Sequence, residues 1–307
     1  MTLILARASA EFVLQVTDRL TTIQATKQPF DKIANKNILY FASNAVIALA
    51  YTGDAYLEGI PTDHWIAEKI AGIKTNLETP PAMVGYKELK RDVGQALNII
   101  KNELDRQVRK IQYLVISIQG WQWDSRGKLR PLVGDISKAT IGNAFNIRYE
   151  PRNWWAEGAS MTIAAPPLNI SQKELTDLSN SLRHKSAIET EGLLVEKIRE
   201  FSHRNTIIGP HCISIMLPPP SNPNIVVRYL PENPSILPES QRLTSDQMTW
   251  AFSPWIVSSK MCMPPAQIIG GGFTANTGLF SIQFISETPE NPNWSLMHQG
   301  QKRRKYP

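Results

Sequence analysis

The sequence predicts a layered α/β fold in which mainly antiparallel sheets carry helices packed on their outsides. Three observations predict it. Short runs rich in aliphatic and β-branched residues open the chain and return after residue 110. Between them, apolar residues recur three or four positions apart, the helical period. Later, two Ser-x-x-Glu capping boxes, Ser171 to Glu174 and Ser186 to Glu189, open a second pair of helices. The order is therefore strands, two helices, strands, two helices, strands.

Each element has its own signal. Thr2 to Ala8 and Glu11 to Thr17 read as two strands with a hairpin turn between them, and Asp18-Arg19 ends the second. Thr21 to Asp31 is polar loop. Asn37 to Ala42 and Ala45 to Ala50 are the next two strands, with turn chemistry at Ser43-Asn44. Thr52-Gly53 closes that hairpin, and a helix carrying Tyr56 and Leu57 is expected from Asp54. A further helical start lies at Thr62, with Asp63 behind it and Trp65, Ile66 and Ile70 at helical spacing. Tyr86 to Lys110 is the clearest helix, through Val93, Leu97, Ile100, Leu104 and Val108. Tyr113 to Ile118 is a buried-looking strand. Asp124 to Gly127 is a turn before an extended piece, Lys128 to Gly134, and Phe145 to Tyr149 and Met161 to Ala164 are short strands. The second capped helix is expected to bury Ile188, Leu194, Val195, Ile198 and Phe201. Cys212 to Leu217 is a strand.

At Pro218-Pro219-Pro220 the composition shifts, and more than half of the 22 prolines lie from there onward. We therefore divide the chain into a layered domain, 2–217, and a Pro-rich extension, 218–307, with strands at Ile225 to Tyr229 and Leu279 to Ile285. Gly270-Gly271-Gly272 lacks both the GxxxxGK[ST] pattern and a following helix, so it reads as a turn.

Composition excludes several classes. No apolar run approaches the roughly 20 residues of a membrane helix. The N-terminus has no basic region followed by an apolar core, so a cytoplasmic location is expected. Cys212 and Cys262 are isolated, which fits a reducing compartment. The five histidines form no HxxxH or HExxH pattern, so neither metal nor cofactor is expected. Of the net charge of +6, four come from Lys302, Arg303, Arg304 and Lys305 in the terminal tail. A nucleic-acid reading would rest on that tail and on Trp121, Trp123, Trp154 and Trp155. Aromatics are more often core than stacking platforms and such tails are commonly solvated, so nucleic acid ranks last.

The N-terminus carries the chemistry. If Met1 is removed, the chain begins at Thr2, whose hydroxyl and α-amino group then share one residue. The neutral amine can serve as the base that activates the hydroxyl, and an α-amine titrates at about 7.7–8.0, near working pH.

A threonine opening the first strand of this element order resembles the N-terminal nucleophile hydrolases, above all their proteasome β-subunit and bacterial HslV-type branch. The resemblance covers residues 2–217 and rests on pattern. Asp18, sixteen positions after Thr2, stands where that family places its acid. Lys32, in Phe30-Asp31-Lys32-Ile33, resembles the lysine that orients the nucleophile. Thr52-Gly53-Asp54-Ala55 looks like the segment whose glycine N–H faces the oxyanion at the mouth of the first long helix. Trp155 to Ala159 resembles the glycine-containing approach to the second helix pair, and Arg204 to Pro210 the closing loop. The sequence departs from the family in that loop, with Asn205 and Ile208 where the family has an aspartate and a serine; Ser125 is a candidate for the family's other amine-contacting serine.

The resemblance implies an αββα four-layer sandwich. It also implies a threonine-type amidohydrolase, most naturally a peptidase, with Thr2, Asp18, Lys32, Gly53 and Asn205 as site residues and a peptide or amide substrate. The expected partners are further copies of the chain in a homo-oligomer, and another protein. The alternative, which Asn205 and Ile208 keep open, is a catalytically silent proteasome-like scaffold working through its surfaces.

Overall fold

The structure is a computed structural model, and it describes residues 2–22, 29–31, 34–74, 90–138, 143–150, 160–164, 170–219, 221–222, 224–230, 232, 253–259, 261–265, 274–276 and 281–286. Lys32, Trp154, the Trp155 to Ala159 segment, the three-glycine run and the basic tail lie outside them.

The first strands are β1 (Ile4–Ala8), β2 (Val13–Asp18), β3 (Thr21–Thr22), β4 (Pro29–Asp31), β5 (Asn37–Ala42) and β6 (Ala45–Gly53). A tight hairpin, β7 (Tyr56–Leu57) and β8 (Ile60–Pro61), precedes helices α1 (Thr62–Ala71) and α2 (Val93–Arg106). Strands β9 (Leu114–Trp123), β10 (Leu129–Lys138), β11 (Phe145–Tyr149) and β12 (Ser160–Ala164) follow, then α3 (Gln172–Ser181) and α4 (Ala187–Arg204). The chain continues with β13 (Cys212–Leu217), β14 (Asn224–Leu230), β15 (Trp255–Ser258), β16 (Cys262–Met263), β17 (Thr274–Asn276) and β18 (Ser281–Ser286).

Two seven-stranded sheets form, in the orders β12-β1-β2-β13-β14-β18-β17 and β11-β10-β9-β6-β5-β15-β16. They pack face to face, and each carries a helix pair outside. On the first sheet, Leu3, Leu5, Leu14 and Val16 face Leu194, Ile198 and Phe201 of α4. On the second, Ile47, Leu49, Ile116 and Ile118 face Trp65, Ile66, Leu97 and Ile100 of α1 and α2. The middle layer joins Val46, Ala48 and Trp121 to Ile213, Ile215 and Val227. The strict alternation along β1, β2, β6 and β9 makes this possible, because successive side chains point to opposite faces. The fold is thus the expected layered sandwich, with helices outside two sheets.

Most pairings are antiparallel, but β14–β18 and β5–β15 are parallel. Strands from beyond Pro218 therefore extend both sheets: β14, β17 and β18 the first, β15 and β16 the second.

Other elements differ from expectation. No helix starts at Asp54; Tyr56 and Leu57 sit in the β7–β8 hairpin, whose turn puts Glu58 and Gly59 at positive φ. The long helix begins at Val93, where Asp92 accepts from Gln95 N–H at 2.7 Å in a full capping box. It ends at Arg106 and not Lys110. β9 runs five residues beyond its expected end, where its ladder with β10 continues to the hairpin at Asp124, and β10 runs four beyond its own at the opposite end, where Asp135 to Ser137 pair with Ser117 to Val115. Ile188 is 53% exposed in the first turn of α4, rather than buried with Leu194. Trp121 is buried and donates its indole N–H to the Leu217 carbonyl, which makes it core. Among the described residues no helix is long and apolar enough to cross a membrane.

Candidate active site

The middle layer changes character toward the end of the sandwich where β1 begins. Its inward residues there are Thr17 on β2, Asn37 on β5, Thr52 on β6 and Ser117 and Gln119 on β9, all buried and all polar. Burying such groups is costly unless they are hydrogen-bonded. Two of the bonds cross from sheet to sheet: Thr2 N–H donates to Thr52 Oγ1 at 2.9 Å, and Asn37 Nδ2 donates to Thr17 Oγ1 at 2.9 Å. Thr2 itself is 2% exposed.

Asp18 is the hub. Its carboxylate is fully buried and collects donors from three directions. Leu3 N–H reaches Oδ1 at 2.6 Å, while Leu20 N–H at 2.9 Å and Gly209 N–H at 3.1 Å reach Oδ2. The lysine beside it is Lys36, whose Nζ lies 3.7 Å from Oδ2 and also donates to the Leu20 carbonyl. Both side chains are buried. Burial pushes the Asp18 carboxyl above its ordinary value, and Lys36 and the three N–H donors pull the other way. One aspartate thus ties together the strand behind Thr2, the end of β2, the closing loop and a buried ammonium.

The sequence-based candidates fall out unevenly. Thr2 and Asp18 converge, through Leu3. Lys32 is outside the described residues; among the described residues the lysine at the acid is Lys36, four residues on. Gly53 is not at a helix mouth: it ends β6, and α1 starts only at Thr62. Its glycine identity has another cause, since φ is +116° and a Cβ would sit 2.0 Å from the Tyr113 carbonyl oxygen. The helix-dipole argument for an oxyanion donor therefore does not apply to it. Asn205 caps α4, donating Nδ2 to the Phe201 carbonyl at 3.2 Å, and Ile208 is buried in the core under α4. The closing loop does reach the site, but through the Gly209 backbone. Ser125 is exposed in the β9–β10 turn. Because Thr52 pairs with Val115 near the start of β9, that turn lies on the order of 25 Å from Thr2 at about 3.3 Å per strand residue.

The sequence reading missed Thr52, Lys36 and Gly209. Thr52 has the one legible signal, a lone polar residue on the inward alternation of Val46, Ala48 and Ala50. A fourth missed residue is Asp63, in the first turn of α1. It is buried and accepts from Trp255 Nε1 at 3.1 Å and from Asn35 Nδ2 at 3.2 Å. Burial outweighs these donors and pushes its carboxyl up to about 7.

The raised value couples folding to pH. An acid with a raised folded-state pKa favours folding most when protonated in both states, below the ordinary value of 3.8, and the contribution is lost as pH rises toward about 7. Asp63→Asn removes the titration. The stability of the natural chain relative to Asp63→Asn should therefore fall as pH rises from 4 to 8, by up to about 4 kcal/mol, at about 1.4 kcal/mol for each tenfold change in the proton affinity of the carboxylate. Urea unfolding of both chains at pH 5 and pH 8 measures this; a constant difference would rule it out.

No family model matches the sequence, and no curated protein matches it. Among solved structures, the chain is similar to the Anbu (Gly-1) mutant from Hyphomicrobium sp. strain MC1, with a TM-score of 0.45 and 13% identity, over 71% of this chain and 82% of that one. It is also similar to Anbu (ancestral beta-subunit) from Yersinia bercovieri, with a TM-score of 0.42 and 10% identity, over 70% of this chain and 81% of that one.

Proposed function

We propose that the chain is a threonine-type amidohydrolase, acting on peptide or related amide bonds, with Thr2 as nucleophile once Met1 is removed. The observation that carries this reading is the buried Asp18, bonded at once to the residue behind Thr2 and to Lys36. The αββα layering and the resemblance of the N-terminal segment to N-terminal nucleophile hydrolases support it.

In this reading Thr2 Oγ attacks the carbonyl carbon and the Thr2 amine accepts its proton. The Thr52 hydroxyl, already 2.9 Å from Thr2 N, holds the amine in place. Lys36 supplies positive charge that favours the ionised hydroxyl and the neutral amine, and Asp18 keeps Lys36 charged and aimed. Water then releases the acyl group. We place the protein in the cytoplasm, as a homo-oligomer, with no cofactor.

A second reading is a silent scaffold of the same fold. It is favoured by Asn205, whose amide is spent on the α4 carboxyl end.

The test is the intact mass of the chain expressed with its natural N-terminus, before and after incubation with a peptidyl β-lactone. Attack by Thr2 Oγ opens the lactone by breaking its acyl C–O bond. The proton from Oγ ends on the released oxygen, so the chain gains the whole probe mass. The expected result is loss of Met1 and one such addition, absent in Thr2→Ala. Retained Met1, or an addition that survives Thr2→Ala, would turn the assignment to the scaffold.

A further inference from the structure

Asn35, Lys36 and Asn37 send their side chains to two elements, β2 and α1. Lys36 reaches Asp18 and the Leu20 carbonyl at the end of β2. Asn37 reaches Thr17 on β2. Asn35 turns the other way, to Asp63 on α1. It also brackets its neighbour: Asn35 Nδ2 donates to the Asn37 carbonyl and Asn35 Oδ1 accepts from Asn37 N–H, each at 3.4 Å. The Asn35 side chain therefore ties its own residue to the backbone that follows Lys36, spanning the lysine between them. A lysine stem has four rotatable bonds, so the place of its ammonium depends on where that backbone is pinned.

Asp63 is held in turn. Trp255 and Asn35 both donate to the same oxygen, Oδ2. The backbone N–H groups of Asp63 and His64, at the α1 start, hold the carboxylate too. Trp255 opens β15, which runs parallel to β5 with Trp255 opposite Ile38, directly beyond the Asn35 to Asn37 segment. The His64 ring stacks on Trp255 with centroids 4.9 Å apart and planes at 20°. A buried carboxylate costs free energy that an apolar residue of the same size would not, and Asp63 carries that cost visibly in its raised pKa.

We propose that Asp63 is a positioning residue for Lys36, acting through Asn35, and that strand β15 from the chain beyond residue 218 braces it through Trp255. This rests on the reading of Thr2 and Lys36 given above. It also assigns the C-terminal strands a part in the site: Trp255 completes the support of a lysine more than two hundred residues earlier.

The experiment uses the full chain with two readouts. One is the rate of β-lactone addition to Thr2. The other is the pH titration of the Lys36 ¹³Cε signal by NMR, which needs no activity. Asn35→Ala and Asp63→Ala should each slow addition by about tenfold to a hundredfold and shift the Lys36 midpoint in the same direction. The double variant should be no worse than the slower single, because the two act in series. Asp63→Asn keeps an oxygen where both donors converge and should recover most of the Lys36 midpoint; Trp255→Phe should shift it by less than Asp63→Ala does. If Asp63→Ala does not fold, Asn35→Ala, at a half-buried position, carries the test alone. An unchanged Lys36 titration in Asn35→Ala overturns the proposal, as does a double variant whose loss is the product of the two singles. A natural chain that adds no lactone sinks the nucleophile assignment instead, and the Lys36 titration still decides the brace.

Discussion

Asp18→Ala should destabilise the fold by about 3–5 kcal/mol, the scale for removing one partner of a buried ion pair. The loss is not that of a single contact. Without the carboxylate, the buried Lys36 ammonium loses its counter-charge and is left against the Leu20 carbonyl. The N–H groups of Leu3, Leu20 and Gly209 lose their acceptor at the same time. Each unsatisfied buried donor costs on the order of 1–3 kcal/mol, partly recovered if water enters the space. Asp18→Asn should be the milder change, since one carbonyl oxygen remains to accept from Leu3 or from the closing loop. Urea unfolding measures both, with an unchanged dependence on denaturant showing that the same surface is exposed. A loss under about 1 kcal/mol for Asp18→Ala would mean that the four-way junction adds nothing to the fold, and with it would go the argument that Asp18 positions Lys36.

The layered fold was legible in the sequence because its signals are local. The aliphatic and β-branched runs of β1, β2, β5 and β6 and the boxes at Ser171 and Ser186 act within a few residues, and strands and helices form at them. The errors come from signals that compete locally. Asp54 can end a strand or start a helix, and the Glu58-Gly59 turn decided for a hairpin. An apolar repeat suggested Tyr86 as a helix start, although Asp92 and Gln95 supplied the capping box. The β15–β5 pairing joins segments about 215 residues apart in parallel, and no local pattern encodes that.

The site divides along the same line. Thr2 leads into β1 and Asp18 ends β2, and the register of that pair carries one to the other: Ile4 opposes Thr17, which places the start of β1 beside the end of β2. The lysine lies across a loop, where spacing says little about reach. Lys32 and Lys36 both follow that loop; Lys32 lies outside the described residues, and Asn35 and Asn37, anchored on α1 and β2, are what hold the backbone beside Lys36 at Asp18. Gly209 was hidden for another reason. It acts through its backbone, and its glycine identity reflects close approach to Leu20, whose Cβ would be 2.7 Å from an added Cβ.

Lys36→Met should slow acylation of Thr2 by about 10²–10⁴-fold, the usual worth of a positioned group in proton-transfer chemistry, while Lys32→Met should cost far less. Methionine retains most of the aliphatic stem, so packing between β2 and β5 is largely preserved. What is lost is the charge. Removing a positive charge from beside Thr2 favours a protonated amine and opposes ionisation of the hydroxyl. Both effects act against the base and the nucleophile together, so the pH at which addition reaches half its maximum should move upward as well. Asp18 keeps its three N–H donors in Lys36→Met, so stability should fall by less than in Asp18→Ala. A large loss of reactivity with a small loss of stability is the signature of a group used in the chemistry. The measurements are the β-lactone addition rate across pH and the urea midpoint for both lysine variants. Equal rates for Lys36→Met and the natural chain would remove Lys36 from the mechanism, and a loss confined to Lys32→Met would return the role to the lysine that the sequence pattern first suggested.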